Sequence, residues 1–159
     1  MKYWDVFNSE LGPIHIICDE KWVLGVEFKT EGTPKGEHKA TELTKKTVLQ
    51  LKEYLKGERT EFDLPLKPEG TAFQKKVWDA LTTIPWGQTR SYKEIAVQIG
   101  NPKACRAVGM ANNRNPISII IPCHRVVGAD NRLVGYGGGL DIKLKLLNME
   151  NPDAVWKNY

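Results

Sequence analysis

The sequence predicts an α+β fold in two parts: a small N-terminal α/β domain with an antiparallel sheet, then a mostly helical C-terminal domain carrying a helix-turn-helix. Three observations carry this. Short apolar and aromatic runs separated by turn residues fill residues 3–28, the pattern of a meander. The stretch LPLKPEG, residues 64–70, holds two prolines and a glycine and reads as a linker. From residue 71 onward, helix-start signals follow one another closely. The expected division is therefore a domain over 1–63, a linker over 64–70 and a domain over 71–159.

In order, YWDVF, IHIIC and VLGVEF are the three strands, joined by turns at SELGP and DEK. TEGTPKGEHKA is a polar loop, after which Leu43, Val48, Leu51 and Leu55 recur at near-helical spacing until Gly57 supplies a stop. Past the linker, TAFQ at 71–74 is a capping box opening the amphipathic run Phe73, Val77, Ala80, Leu81, Ile84, which Pro85 and Gly87 end. Trp86 in that turn is expected to lie over the domain core. SYKE at 91–94 is a second capping box, and its short helix stops at Gly100. Asn101 and Pro102 then read as N-cap and first-turn proline of the next helix, completing the helix-turn-helix. That helix places Ala104, Ala107, Val108 and Ala111 on a packing face and leaves Lys103, Arg106, Met110 and Asn113 outside. Its small residues, with Gly109 costing about 1 kcal/mol relative to alanine, suit close approach to another surface such as a DNA groove.

Composition narrows the partners. At 159 residues, 41% hydrophobic and 26% charged, the chain is an ordinary globular one. No apolar run approaches the length of a membrane span, and the opening MKYWDVFNSE lacks the basic-then-apolar order of a signal peptide, so a cytoplasmic location is expected. Cys18, Cys105 and Cys123 are odd in number and far apart, which suits reduced thiols. Residues 1–70 carry 11 basic and 13 acidic side chains, whereas residues 71–159 carry 12 and 6, so the second part alone is +6. A polyanion such as nucleic acid fits that excess; so does a solvated basic surface.

IIIPCHRVVG, residues 119–128, is the chemically informative stretch. Three isoleucines read as a short buried strand ended by Pro122, with Cys123 at its exit. A thiol with a pKa of about 8.5 needs a cation, a base or oriented amides nearby to react, and Arg125 and His124 supply the first two. Neighbours on an extended chain point opposite ways, so His124 is expected to act on Cys123 through a bridging water. A carboxylate orienting the histidine would complete a relay, and the residues themselves do not single one out.

PCHRV, together with SYKEIA, GNPKACRAVG, NRNP and VGYGGGL in this order over residues 71–150, resembles the O6-alkylguanine-DNA alkyltransferases. The resemblance implies a ribonuclease-H-like N-terminal domain, a winged-helix-like C-terminal domain, and single-turnover transfer of an alkyl group from guanine O6 in duplex DNA, with O4-alkylthymine a possible second substrate. It makes Cys123 the acceptor, His124 the water-linked base, Glu150 the carboxylate that orients it, and Asn115 the brace of the active-site turn. Tyr92 would help rotate the nucleotide out, and Arg106 would fill the vacated stack. The carbonyls of Cys123 and Val126 would accept from the guanine exocyclic amine. Tyr136 and the amide of Gly137 would face O6, and Ser118 would border the pocket. Lys103, Ala104, Ala107 and Gly109 would lie with Arg106 along the minor groove.

No cofactor is expected, and a monomer is. Some members hold a zinc ion in the N-terminal domain; His15 and His38 do not reproduce that spacing around Cys18, so no metal is expected. Three other readings compete: a non-catalytic lesion-binding relative, which would carry another residue at 123; a cysteine hydrolase, which takes its histidine from a distant segment; and a transcriptional regulator, which explains neither PCHR nor GYGGG.

Overall fold

The computed structural model describes residues 1–28, 32–134, 136 and 139–157, which form two compact units. Met1–Glu69 and Pro116–Ile120 make the first; Gly70–Asn115 and Ile121–Tyr159 make the second. Among the described residues, no helix is long and apolar enough to cross a membrane.

The first unit is built on the expected meander. Strands β1 (Tyr3–Ser9), β2 (Gly12–Cys18) and β3 (Val23–Glu27) pair antiparallel, with Tyr3 opposite Cys18 and Ile16 opposite Val26. Ile14, Ile16, Cys18, Val23 and Val26 are fully buried. A two-residue strand, β4 (Glu37–His38), adds to β1 in parallel inside what the sequence offered as a plain loop. Two exposed polar residues carry no periodicity that could have announced it.

Helix α1 (Glu42–Leu55) starts at a capping box between Thr41 and Thr44. Its buried face is Thr44, Thr47, Gln50, Leu51 and Tyr54; of the expected stripe only Leu51 is fully buried, while Leu43, Val48 and Leu55 are half-buried. Polar side chains can take those places because each is satisfied locally. Thr47 Oγ1 donates to the Leu43 carbonyl at 2.8 Å, while Gln50 exchanges hydrogen bonds with the Asp63 backbone at 3.1 and 2.9 Å.

Two segments depart from the expected division. Residues 64–70 are pinned rather than free, since the Val23 amide donates to Pro65 at 2.7 Å and the Lys67 amide to Val23 at 2.9 Å. Pro116–Ile120 belongs to the first unit, where the Val26 amide donates to Pro116 and the Ser118 amide to Val26. The isoleucine run is therefore not a strand. Ile117 makes the single bridge to Val26, and the chain then turns, with Ile119 at a φ of 71°. That left-handed conformation is rare for a β-branched residue, and the burial of Ile119, Ile120 and Ile121 holds it in place. An apolar run reports burial, which a turn can satisfy as well as a strand.

The second unit opens with α2 (Ala72–Leu81), whose Thr71–Gln74 capping box is present. Val77, Trp78, Ala80 and Leu81 face inward, and Trp78 Nε1 donates to the Ala111 carbonyl at 2.9 Å. Gly70 leaves room for that ring, because a Cβ there would stand 2.4 Å from it. Trp86 is exposed and does not cover the core, lying in a tight turn that Gly87 closes at a φ of 84°.

Strand β5 (Arg90–Ser91) leads into α3 (Tyr92–Gln98) through the Ser91–Glu94 capping box. Helix α4 (Cys105–Asn113) begins later than expected: Ala104 is its N-cap, without a side-chain bond. The Ala104 amide closes a turn onto the Asn101 carbonyl at 3.0 Å, so Asn101 and Pro102 serve as the first two residues of that turn instead. Val108, Ala111 and Asn112 are buried, and Ala107 is exposed, outside this narrow stripe. A 3-10 turn (Cys123–Arg125) leads into β6 (Val126–Val127), parallel to β5, and α5 (Leu140–Glu150) closes the unit.

Candidate active site

Cys123 opens the 3-10 turn and is only 3% exposed. The turn is held from both sides. Asn115 Nδ2 donates to the Ile121 carbonyl at 2.8 Å, Asn112 Nδ2 donates to the Cys123 carbonyl at 3.2 Å, and the Val126 amide donates to that same carbonyl. Burial pushes the Cys123 thiol above its ordinary pKa; a hydrogen bond from Asn115, the charge of Lys143 and a hydrogen bond from Tyr136 pull it part of the way back.

Behind the thiol lies a buried set of charged groups. His124 Nε2 is 2.9 Å from Glu150 Oε2, and Arg125 reaches the same carboxylate twice, Nε to Oε1 at 2.8 Å and Nη2 to Oε2 at 3.0 Å. A third Arg125 donor, Nη1, bonds the Ile84 carbonyl at 2.7 Å, tying the turn after α2 to the site. Burial alone would raise the Glu150 carboxyl, but the hydrogen bonds and charges of His124 and Arg125 outweigh it and hold it down at about 2. Glu150 is therefore ionised at neutral pH and can only accept. It follows that His124 carries its proton on Nε2. Burial lowers the imidazole below its ordinary value against the pull of Glu150, so the ring is neutral. Its other nitrogen, Nδ1, is buried without a hydrogen-bond partner among the described residues, and in this tautomer it is an acceptor.

Lys143 and Tyr92 complete the described surroundings. The Lys143 side chain is fully buried, and Nζ donates to the carbonyls of Val126 at 2.6 Å and Val134 at 2.9 Å. Tyr92 Oη donates to the same Val134 carbonyl at 2.8 Å, and burial with the Cys123 charge pushes its phenol up to about 12. Tyr136 is buried beside Cys123. Gly137 lies outside the described residues, and Ser118 falls in the first unit.

On α4 and the turn before it, Arg106 and Lys103 are exposed and Ala104 is half-buried. Gly109 faces the ring of Tyr92, where a Cβ would sit at an ordinary 3.7 Å, so its closeness is directed inward. Among the described residues no three His, Cys, Asp or Glu side chains converge as metal ligands. Cys18 is a core thiol, pushed by burial up to about 12.

Sequence reasoning missed Lys143 and Asn112 as members of this set. Lys143 had a readable signal, since it shares the buried stripe Lys143, Leu146, Leu147 and Glu150 of α5, where a charge is out of place.

A buried thiol, a histidine of defined tautomer and a carboxylate–arginine anchor are what nucleophilic chemistry at sulfur requires. Residues 72–152 match the model of the 6-O-methylguanine DNA methyltransferase DNA binding domain, and residues 2–68 that of the same methyltransferase's ribonuclease-like domain. The chain belongs to the 6-O-methylguanine DNA methyltransferase family. The methylated-DNA–protein-cysteine methyltransferase of Methanosarcina acetivorans is 51% identical over 152 residues, covering 93% of this chain and 97% of the relative. The protein of that name from Mycobacterium leprae is 61% identical over 108 residues, 68% of this chain and 66% of the relative. The crystal structure of Mycobacterium tuberculosis O6-methylguanine methyltransferase is similar at a TM-score of 0.88 and 42% identity, covering 99% of this chain and 97% of that one. The Mycobacterium tuberculosis OGT in complex with DNA is similar at the same TM-score and 44% identity, covering 96% of this chain and 94% of that chain.

Proposed function

We propose that this protein repairs duplex DNA by direct reversal, moving the alkyl group of O6-alkylguanine onto Cys123. The observation that carries the assignment is the pairing of His124 Nε2 with Glu150, because it leaves Nδ1 as the basic nitrogen of a residue adjacent to the thiol. His124 takes the Cys123 proton by way of a water. The thiolate attacks the alkyl carbon, so the sulfur–carbon bond forms as the carbon–O6 bond breaks. The guanine then regains one proton, and the net change is exchange of the thiol proton for the alkyl group. A thioether has no easy hydrolytic exit, so each molecule acts once.

The remaining roles follow from position. A thiol this buried is reached only by a base rotated out of the stack, at a cost of a few kcal/mol that the exposed Arg106 partly offsets by entering the gap. Lys103, Ala104 and Ala107 accompany Arg106 along the DNA. The Val126 carbonyl accepts from Lys143 and keeps a second lone pair for the guanine amine. The Cys123 carbonyl already accepts from Asn112 and Val126, which leaves it the lesser acceptor. Tyr92 turns its hydroxyl from the Val134 carbonyl toward the extruded base, and the donors assigned to O6 are Tyr136 and the Gly137 amide. Asn115 keeps the turn in place.

Intact mass spectrometry after incubation with duplex DNA bearing one O6-methylguanine tests this. A gain of about 14 Da, confined to the Cys123 peptide and saturating at one per molecule, is expected. Lesion binding without a mass change would overturn the assignment.

A further inference from the structure

Among the described residues, the buried set around Cys123 holds one cation beyond the Arg125–Glu150 pair. Arg125 and Glu150 neutralise each other through two hydrogen bonds, and His124 is neutral. Lys143 adds one more positive charge in the same buried set, and burial lowers its pKa to about 8, opposed by the Cys123 charge. Its ammonium is held by two carbonyls from separate segments, Val126 just after the 3-10 turn and Val134 before α5. The groups that face this set are Cys123, His124 and Arg125 from the turn, Tyr92 from α3, Tyr136 from the loop and Glu150 from α5 itself. Val126, whose carbonyl binds the ammonium, also donates its amide to the Cys123 carbonyl, so the cation is fixed to the turn that carries the thiol, and Cys123, once ionised, favours the charged form of Lys143.

We propose that Lys143 is a positioning residue for the transfer reaction: its ammonium, fixed between the Val126 and Val134 carbonyls, supplies the positive charge that lets a fully enclosed Cys123 ionise. The inference rests on Cys123 being the alkyl acceptor, and it adds a counter-charge to the water-linked base. His124 removes the proton; Lys143 makes the resulting sulfur anion tolerable in a site that excludes water. Removal of one of two interacting charges at short range in a buried site shifts the other's titration by one unit or more. Below its own titration Lys143 is charged and the thiolate is favoured. Above it the ammonium is lost, and with it the advantage.

The test is the rate of Cys123 modification by iodoacetamide, located by peptide mapping, from mildly acidic to alkaline pH in wild type, Lys143→Met and Lys143→Arg. In Lys143→Met the midpoint should move to higher pH, with about a tenfold lower rate at neutral pH and convergence on wild type in alkali. Lys143→Arg, which keeps a charge at all these pH values, should hold the wild-type midpoint at neutral pH and keep its advantage into alkali. An unfolded chain would expose Cys123 and titrate as an ordinary thiol at about 8.5, so each variant is first shown by circular dichroism to be as folded as wild type. A Lys143→Met rate lowered equally at every pH, or a Lys143→Arg midpoint displaced as far as that of Lys143→Met, would show a merely structural lysine and overturn the proposal. Methyl transfer from DNA is followed separately on wild type. Its absence would remove the repair assignment while leaving the thiol titration interpretable.

Discussion

The two units bury polar side chains in opposite ways. In the first, Thr44, Thr47 and Gln50 are neutral, and each finds its partner in nearby backbone. In the second, His124, Arg125, Lys143 and Glu150 are buried within one neighbourhood, and three of those four are charged. Neutral groups bonded to backbone are cheap to enclose, whereas enclosed charges cost several kcal/mol apiece unless their partners are ideal. The first arrangement serves the fold. The second is tolerable for stability and useful for chemistry, which explains why it surrounds the one thiol with a histidine beside it.

The largest effect that could break this comparison is at the thiol. Cys123→Ala should abolish mass gain from O6-methylguanine DNA while the protein remains folded, and Thr47→Val in the first unit should leave the gain intact. Retained transfer in Cys123→Ala would move the acceptor elsewhere.

Next comes the anchor. Glu150→Ala leaves Arg125 charged and enclosed, and should destabilise the protein by about 3–5 kcal/mol in a denaturant titration. The pH dependence has the same origin. Glu150 titrates at about 2 in the folded protein against 4.5 ordinarily, so its contribution is fully present above 4.5 and is lost as pH falls from there toward 2. Acid unfolding of Glu150→Gln should lack that component, which a denaturation midpoint followed against pH will show.

Arg106→Ala should slow repair of duplex DNA by about one to two orders of magnitude, the kinetic equivalent of part of the unstacking cost. Reaction with free O6-alkylguanine base should be nearly unchanged. Equal loss on both substrates would take Arg106 out of the DNA interface.

The smallest effect sharpens the comparison from the other side. Thr41→Ala in the first unit and Thr71→Ala in the second remove equivalent capping boxes, and each should cost about 1 kcal/mol by thermal unfolding without altering transfer. A change in transfer rate from either would mean that helix capping reaches the chemistry.

Much of this molecule could be read before its structure. Capping boxes at Thr71 and Ser91 are local devices, complete within four residues, and both are present. PCHR was readable from its own chemistry, but the carboxylate of Glu150 was accessible only because several ordered motifs identified a family; nothing in the spacing of residues 26 apart says that His124 and Glu150 meet. What stayed hidden depends on tertiary contact. Strand β4 exists because Tyr3 and Trp4 offer an edge, and the isoleucine turn because Val26 offers two backbone partners. The helix after Gly100 starts late because Asn101 and Pro102 suit a turn as well as a cap. Lys143 shares a helical stripe with Leu146 and Leu147, but only the packing of α5 shows that stripe turned inward with Glu150.

The enclosure of Cys123 has one more consequence, which concerns time rather than chemistry. A protein used once must wait, intact, for a lesion that is rarely encountered. An exposed thiolate oxidises readily to sulfenic acid and beyond, or is capped by small thiols. Here the sulfur is 3% exposed, so oxidants in the surrounding solution meet almost none of its surface. The pocket that admits a rotated-out base is thus also a storage vessel, in which the reagent keeps until it is spent.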